Sequence, residues 1–287
     1  MKVSFIGLGI MGSRMAANLL KNGTDITVFN RSKDAVNRLV GQGAKTAATL
    51  TETVQDADIV FTMLSTPEVV KLIMVDSDSP VLDQMKKDAI WVDCSTVNPS
   101  FSRSMSEISM EKSIRFIDAP VAGTKPHAEN AELVFFVGGD KNTVQSVEPY
   151  LDMMGRKIMH IGEVGHGASY KMLVNMMLAQ SMIIFSEAVV LGEKMGLDQS
   201  FLLDTLPNLV VSAPFTKFKS AMIAKDQYDV QFPLEWMHKD LHLAATTAYE
   251  NNHPLYMANL AKELYAQAVN NGMGRLDFAA IHRLLDS

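Results

Sequence analysis

The chain has 287 residues, 47% hydrophobic and 20% charged, a balance that suits about two globular domains and no disordered or fibrous class. A net charge of −6 with no basic run argues against nucleic acid or an anionic membrane surface as a partner. One cysteine excludes an internal disulfide framework, so we expect a reducing, cytoplasmic setting.

The opening Met1–Ile6 is too short an apolar run for a signal peptide, because a glycine cluster follows it directly. Further on, the uncharged stretch between Lys171 and Glu187 contains Asn175, Gln180 and Ser181. It falls short of the roughly 18 apolar residues of a membrane span, so it reads as a buried core helix.

Up to about residue 162, short apolar runs alternate with helical stretches. The runs Val3–Ile6, Ile26–Phe29, Ile59–Leu64, Ile90–Val92, Phe116–Ile117, Val134–Val137 and Ile158–Ile161 predict strands. Near-continuous apolar strands separated by helices predict a doubly wound, mostly parallel sheet covered on both faces. After Gly162 the strand pattern stops. Gly165–Met195 predicts one long helix. Phe201–Leu206, Pro214–Ala224, Pro233–Asn251, Pro254–Asn270 and Asp277–Leu285 predict further helices. The expected organisation is an α/β domain over 1–162 and an all-α domain over 163–287.

The first motif is Gly7-Leu8-Gly9-Ile10-Met11-Gly12, placed between a strand and an amphipathic helix, Ile10–Lys21. That context makes it a dinucleotide fingerprint. Gly7 serves the tight turn, Gly9 the approach of a pyrophosphate, and Gly12 the close packing of helix on strand. The helix N-terminus offers N–H groups to the phosphates. An NAD site places an acidic residue at the end of the second strand. Here that place holds Asn30-Arg31-Ser32, with no acid before Asp34. Arg31 can fork onto a ribose 2′-phosphate, and Asn30 and Ser32 can hydrogen-bond it. NADP(H) is therefore the expected cofactor, with NAD as the alternative.

Lys171 and Asn175 are four residues apart, on one face of the long helix. Met172, Leu173, Val174 and Met176 surround the lysine with apolar neighbours, an unusual setting unless Lys171 faces a cleft. Its position in the first turns of the helix, together with burial, disfavours the ammonium.

These features belong to a wider pattern. The motifs Gly7–Asn18, Asp93-Cys94-Ser95-Thr96, Asp118-Ala119-Pro120-Val121-Ala122-Gly123, Gly165-x-Gly167-x-x-x-Lys171-x-x-x-Asn175 and Lys239-Asp240-x-x-Leu243-Ala244 follow one another along almost the whole chain. In them the chain resembles the β-hydroxyacid dehydrogenases, the group that includes 3-hydroxyisobutyrate dehydrogenase and the glyoxylate/succinic semialdehyde reductases. The resemblance implies that the domain over 1–162 is a Rossmann domain, that Lys171 is the general acid/base and that Asn175 orients substrate or lysine. It implies that Pro120–Thr124 receives the substrate's anionic end, with Gly123 allowing close backbone approach. Ala122 and Thr124 stand where the commoner family form has serine and glycine, which places the chain nearer the glyoxylate/succinic semialdehyde branch.

The resemblance also implies that Lys239 closes over the cofactor and that Asp240 supports the lysine beside the substrate. Phe232 would shield the nicotinamide. Thr96 and the segment Met63-Leu64-Ser65 follow apolar strands and should line the crevice at the sheet's carboxyl edge. No metal site is expected, because His238 and His242 lack the glutamate and third ligand of a zinc motif. Cys94 reads as a buried small hydrophobe.

The expected activity is hydride transfer from NADPH to a short aldehyde acid, glyoxylate or succinic semialdehyde, giving the hydroxy acid. The alternatives are NAD-dependent oxidation of 3-hydroxyisobutyrate or another β-hydroxy acid, and a non-catalytic dinucleotide-binding module. The long apolar helix predicts a homodimer or homotetramer.

Overall fold

The computed structural model describes residues 1–286, which form two compact units, one ending at Lys171 and the other beginning at Met172.

The first unit is built on a nine-stranded sheet: β1 (Val3–Ile6), β2 (Ile26–Phe29), β3 (Lys45–Thr46), β4 (Ile59–Thr62), β5 (Ile90–Asp93), β6 (Arg115–Asp118), β7 (Val121–Ala122), β8 (Leu133–Gly138) and β9 (Gly155–Gly162). The order runs β3-β2-β1-β4-β5-β6-β8-β7, with β9 also paired to β8. From β3 across to β6 the neighbours pair in parallel, whereas β8 runs antiparallel to β6 and β7. The predicted fold class holds.

Side-chain alternation explains why the strands read as continuous apolar runs. Val3, Phe5, Ile59, Phe61, Ile90, Val92 and Ile117 pack into one layer with Met15 and Leu19. Ile6, Val60, Trp91 and Phe116 pack into the opposite layer with Met74 and Met105. Both faces are buried.

Three strand expectations need correction. The run Ile59–Leu64 overshoots, since β4 ends at Thr62. The last strand is longer than its apolar core, because β9 begins at Gly155 and carries exposed Arg156 and Lys157. Strands β3 and β7 have two residues each, too few to show a period.

The second unit is helical. The part of the long helix His166–Lys194 from Met172 onward supplies its first element, and Gln199–Thr205, Thr216–Ala224, Leu234–Glu250, Tyr256–Ala268 and Ile281–Leu285 follow. Met182, Phe185, Val189, Met237, Leu241, Tyr265 and Phe278 form its core. Inside it lies a buried ion pair. Lys219 Nζ sits 2.8 Å from Asp277 Oδ1, 4.7 Å above the Phe278 ring. Asp277 also accepts the N–H groups of Gln231, Phe232 and Ala279. Burial pushes the Lys219 pKa down, and the Asp277 carboxylate opposes it.

The long helix is not the buried core helix expected from its composition. By length and composition it is long and apolar enough to cross a bilayer, yet only 39% of its most apolar window is buried. Leu173, Met177, Ile184 and Leu191 lie exposed along one side, at helical spacing. Lys171, Asn175 and Ser186 are buried instead. An apolar stretch reports hydrophobicity all round, not which side is covered.

Candidate active site

Beyond β1 the chain turns at Gly7, whose φ is +98°. A Cβ there would lie 2.3 Å from the Met63 carbonyl oxygen, and one at Gly12 would lie 2.0 Å from the Gly7 carbonyl oxygen. Neither position admits a side chain. At Gly9 a Cβ would meet nothing within 4 Å. The N–H groups of Gly9, Ile10 and Met11 find no acceptor among the described residues. A turn, an open glycine and unpaired N–H groups at the head of the Gly12–Lys21 helix are what a pyrophosphate needs, so these residues fit a dinucleotide.

The end of β2 is tied to that turn. Asn30 Oδ1 accepts the Leu8 N–H at 3.0 Å, while Asn30 Nδ2 donates to the Ser32 carbonyl and hydroxyl at 3.2 and 2.9 Å. Arg31 is exposed and makes no ion pair among the described residues. Residue type alone makes Asn30, Arg31 and Ser32 three equivalent phosphate ligands. In the structure Asn30 is a strut and Arg31 an outward-facing cation.

Residues following β4 and β5 form the next part of the rim. Met63 N–H donates to the Ile6 carbonyl at 3.0 Å, and Leu64 N–H donates to Ser95 Oγ at 2.9 Å. Asp93 Oδ1 accepts the Thr62 hydroxyl and the Ser95 N–H, and Trp91 Nε1 donates to Thr62 Oγ1. Ser65 is exposed and Thr96 half-buried. Sequence spacing assigns no role to Asp93 or Ser95, because only the fold brings them against Thr62 and Leu64. Cys94 is buried, and burial first, then the Asp93 charge, pushes its thiol pKa well up. It is no ready nucleophile.

The candidate substrate loop follows β6. Ala122 pairs with Val134 in the β7–β8 ladder, and Gly123 has φ +124°. The Thr124 N–H donates to His127 Nδ1 at 3.2 Å, and the Thr124 hydroxyl lies 3.3 Å from the same nitrogen. Both polar groups of Thr124 therefore turn toward His127. The helix Lys125–Glu129 is anchored to the nucleotide helix: Asn18 Nδ2 donates to the Ala128 carbonyl and Arg14 pairs with Glu129, each at 2.7 Å.

Lys171 is 8% exposed, deeply buried for a lysine. It stands near the head of a helix whose entry N–H groups, on Gly165 and Ala168, are both held by Asp118 at the carboxyl end of β6. That edge is where open α/β sheets bind ligands.

In the second unit, Asn175 Nδ2 donates to Asp240 Oδ2, and Lys239 Nζ lies 2.9 Å from Asp240 Oδ1. Asn175 Oδ1 is buried with no hydrogen-bond partner among the described residues. Three residues that the sequence motifs mark one by one thus form a single cluster. Phe232 packs on Phe278 at 5.7 Å between ring centroids.

Fold, glycine turn and buried lysine define a dinucleotide-binding protein of the Rossmann class. Residues 2–162 match the model of the NAD binding domain of 6-phosphogluconate dehydrogenase. Residues 165–285 match the model described as NAD-binding of NADP-dependent 3-hydroxyisobutyrate dehydrogenase. Glyoxylate/succinic semialdehyde reductase 1 of Arabidopsis thaliana is 36% identical over 98% of this chain and 97% of its own. The mitochondrial 3-hydroxyisobutyrate dehydrogenase of Drosophila melanogaster is 36% identical over 99% of this chain and 89% of its own. Among solved structures, Mycobacterium tuberculosis 3-hydroxyisobutyrate dehydrogenase with L-serine superposes with a TM-score of 0.90 at 30% identity, covering 100% of this chain and 99% of the other. The chain belongs to the β-hydroxyacid dehydrogenase family, oxidoreductases acting on hydroxyl and aldehyde groups.

Proposed function

We propose that this chain reduces a short aldehyde acid, glyoxylate or succinic semialdehyde, to the hydroxy acid with NADPH. The observation that carries this reading is Lys171, buried at the head of a helix that Asp118 pins to the carboxyl edge of the sheet. Gly7–Gly12 would hold the pyrophosphate, Met63–Ser65 and Thr96 the nicotinamide, and Arg31 the 2′-phosphate. When bound, the reduced nicotinamide supplies the hydride.

The protein's own residues do the rest. Ala122-Gly123-Thr124 receives the substrate carboxylate in the turn that Gly123 opens; the Thr124 N–H is not among the donors, because His127 Nδ1 accepts it. The Lys171 ammonium gives its proton to the carbonyl oxygen as the carbon is reduced. Asn175 and Asp240 order the polar groups beside the substrate. The absence of an acid at Asn30-Arg31-Ser32 favours NADPH over NADH, since a carboxylate there would repel a phosphate.

The Drosophila relative's equal identity favours a second reading, oxidation of 3-hydroxyisobutyrate, for which the alternative cofactor is NAD. Initial rates with glyoxylate, succinic semialdehyde, tartronate semialdehyde and methylmalonate semialdehyde separate the two. Fast turnover of the first pair, lost in Lys171→Ala with cofactor binding kept, supports our reading. Preference for the methyl-branched substrate with NADH supports the other.

The exposed row Leu173, Met177, Ile184 and Leu191 supports a homo-oligomer. Equilibrium sedimentation of a monomer would refute that.

A further inference from the structure

Asp118 ends β6 at 1% exposure. Its Oδ1 accepts the Gly165 N–H and its Oδ2 the Ala168 N–H, both at 2.7 Å. The surroundings are cut to admit this carboxylate. A Cβ at Gly138 would lie 2.6 Å from Asp118 Oδ1, and one at Gly167 would lie 2.9 Å from Oδ2 and 2.3 Å from the Phe136 carbonyl oxygen. Gly138 is also the register partner of Asp118 across the β6–β8 pair. Sheet edge, carboxylate and helix entry form one clamp.

The clamp bears on Lys171. Ala168 precedes it by three residues, about 4.5 Å along the helix axis at the usual rise. The free N–H groups of a helix start create a positive end that disfavours an ammonium nearby. A carboxylate bonded to those same groups cancels that field and adds a charge of the opposite sign. Asp93, register partner of Asp118 on β5, is the other carboxylate facing it, and its Oδ1 is bonded to Thr62 and Ser95.

We propose that Asp118 is a positioning residue for Lys171, holding the helix entry at the sheet's carboxyl edge and keeping the lysine's ammonium protonated. Both of its carboxylate oxygens are engaged by the helix entry. This rests on Lys171 being the acid/base. Burial, opposed by the two N–H bonds, pushes the Asp118 pKa up to about 6, so at neutral pH the carboxylate carries its charge.

The test is Asp118→Asn in the full chain, assayed beside Lys171→Ala. Asparagine keeps the size and one acceptor but removes the charge and turns a donor toward one of the two N–H groups. The expected result is unchanged NADPH affinity and a kcat lowered roughly tenfold to a hundredfold, as small misplacements produce. KM should move less than kcat. The alkaline limb of kcat/KM should shift to lower pH, because a lost negative charge makes the lysine easier to deprotonate. Folded Asp118→Asn with wild-type kcat and an unmoved limb overturns the proposal. If Lys171→Ala turns over normally, the acid/base reading fails; if it is dead and Asp118→Asn is normal, the positioning role alone fails. Should Asp118→Asn not fold, the wild type answers by NMR. The Gly165 and Ala168 amide shifts and kcat should titrate together near the Asp118 pKa; separate titration overturns the proposal.

Discussion

The backbone N–H of Leu8, in the middle of the glycine turn, is held by the Asn30 carboxamide at 3.0 Å. One side chain thus joins the glycine turn to the end of β2, where our reading places the cofactor's ribose. Leu8 is buried, so losing its acceptor leaves an unsatisfied donor, at a cost of about 1–3 kcal/mol. Asn30→Ala should lower the melting temperature and weaken NADPH and NADH binding alike. Fluorescence titration with both cofactors checks it. Loss confined to NADPH would mean that Asn30 acts on the 2′-phosphate itself.

Arg31 should behave in the opposite way. It is exposed, without an ion pair among the described residues, and available to an incoming phosphate. A charge-assisted hydrogen bond contributes about 1.5–3 kcal/mol, so Arg31→Ala should raise KM for NADPH roughly tenfold to a hundredfold. KM for NADH should stay as it was. Equal effects on the two cofactors would remove Arg31 from the specificity argument.

Asp118 gives the molecule an unusual pH dependence. Its pKa is raised from the ordinary carboxylate value of 3.8 to about 6, chiefly by burial. The folded state therefore binds the proton more tightly than the unfolded chain, and stability falls as pH rises through that window. The cost of the ionised form at neutral pH is about 3 kcal/mol. Denaturant melts should show wild type losing stability relative to Asp118→Asn between about pH 4 and pH 7. A pH-independent difference would contradict the shift.

The Lys219–Asp277 pair is buried on both sides, with side chains 4% and 0% exposed. Removing one partner strands the other charge, which costs about 3–5 kcal/mol. Lys219→Met should be strongly destabilised, and adding Asp277→Asn should recover part of the loss by removing the orphan charge. Thermal melts of the two variants decide it. A double variant weaker than the single would show that the carboxylate's three backbone bonds matter more than its charge.

Much of this molecule is legible in its amino-acid sequence. The glycine turn, the strands that bury both faces and the misplaced lysine all follow from spacing and period. Pairing at long range does not. Asp118 lies 47 and 50 residues from the amides it holds, and nothing in its own neighbourhood marks it as a helix anchor. Asn30 reads as a ligand because its type suits one, yet its carboxamide is occupied by Leu8 and Ser32. Leu64 continues an apolar run but turns away from the ladder: the Met63 N–H still reaches the Ile6 carbonyl, whereas the Leu64 N–H goes to Ser95 Oγ, and hydrophobicity does not record that change. The long helix reads as buried for a related reason: composition cannot say which side a second chain or a core will cover.

The most direct test follows the hydride. The protein should be incubated with each aldehyde acid and nicotinamide-deuterated NADPH or NADH, and the product hydroxy acid characterised by NMR. Our account predicts deuterium on the new carbinol carbon of glycolate or 4-hydroxybutyrate, faster from NADPH than from NADH. Label delivered faster from NADH, or no label in any product, would contradict it.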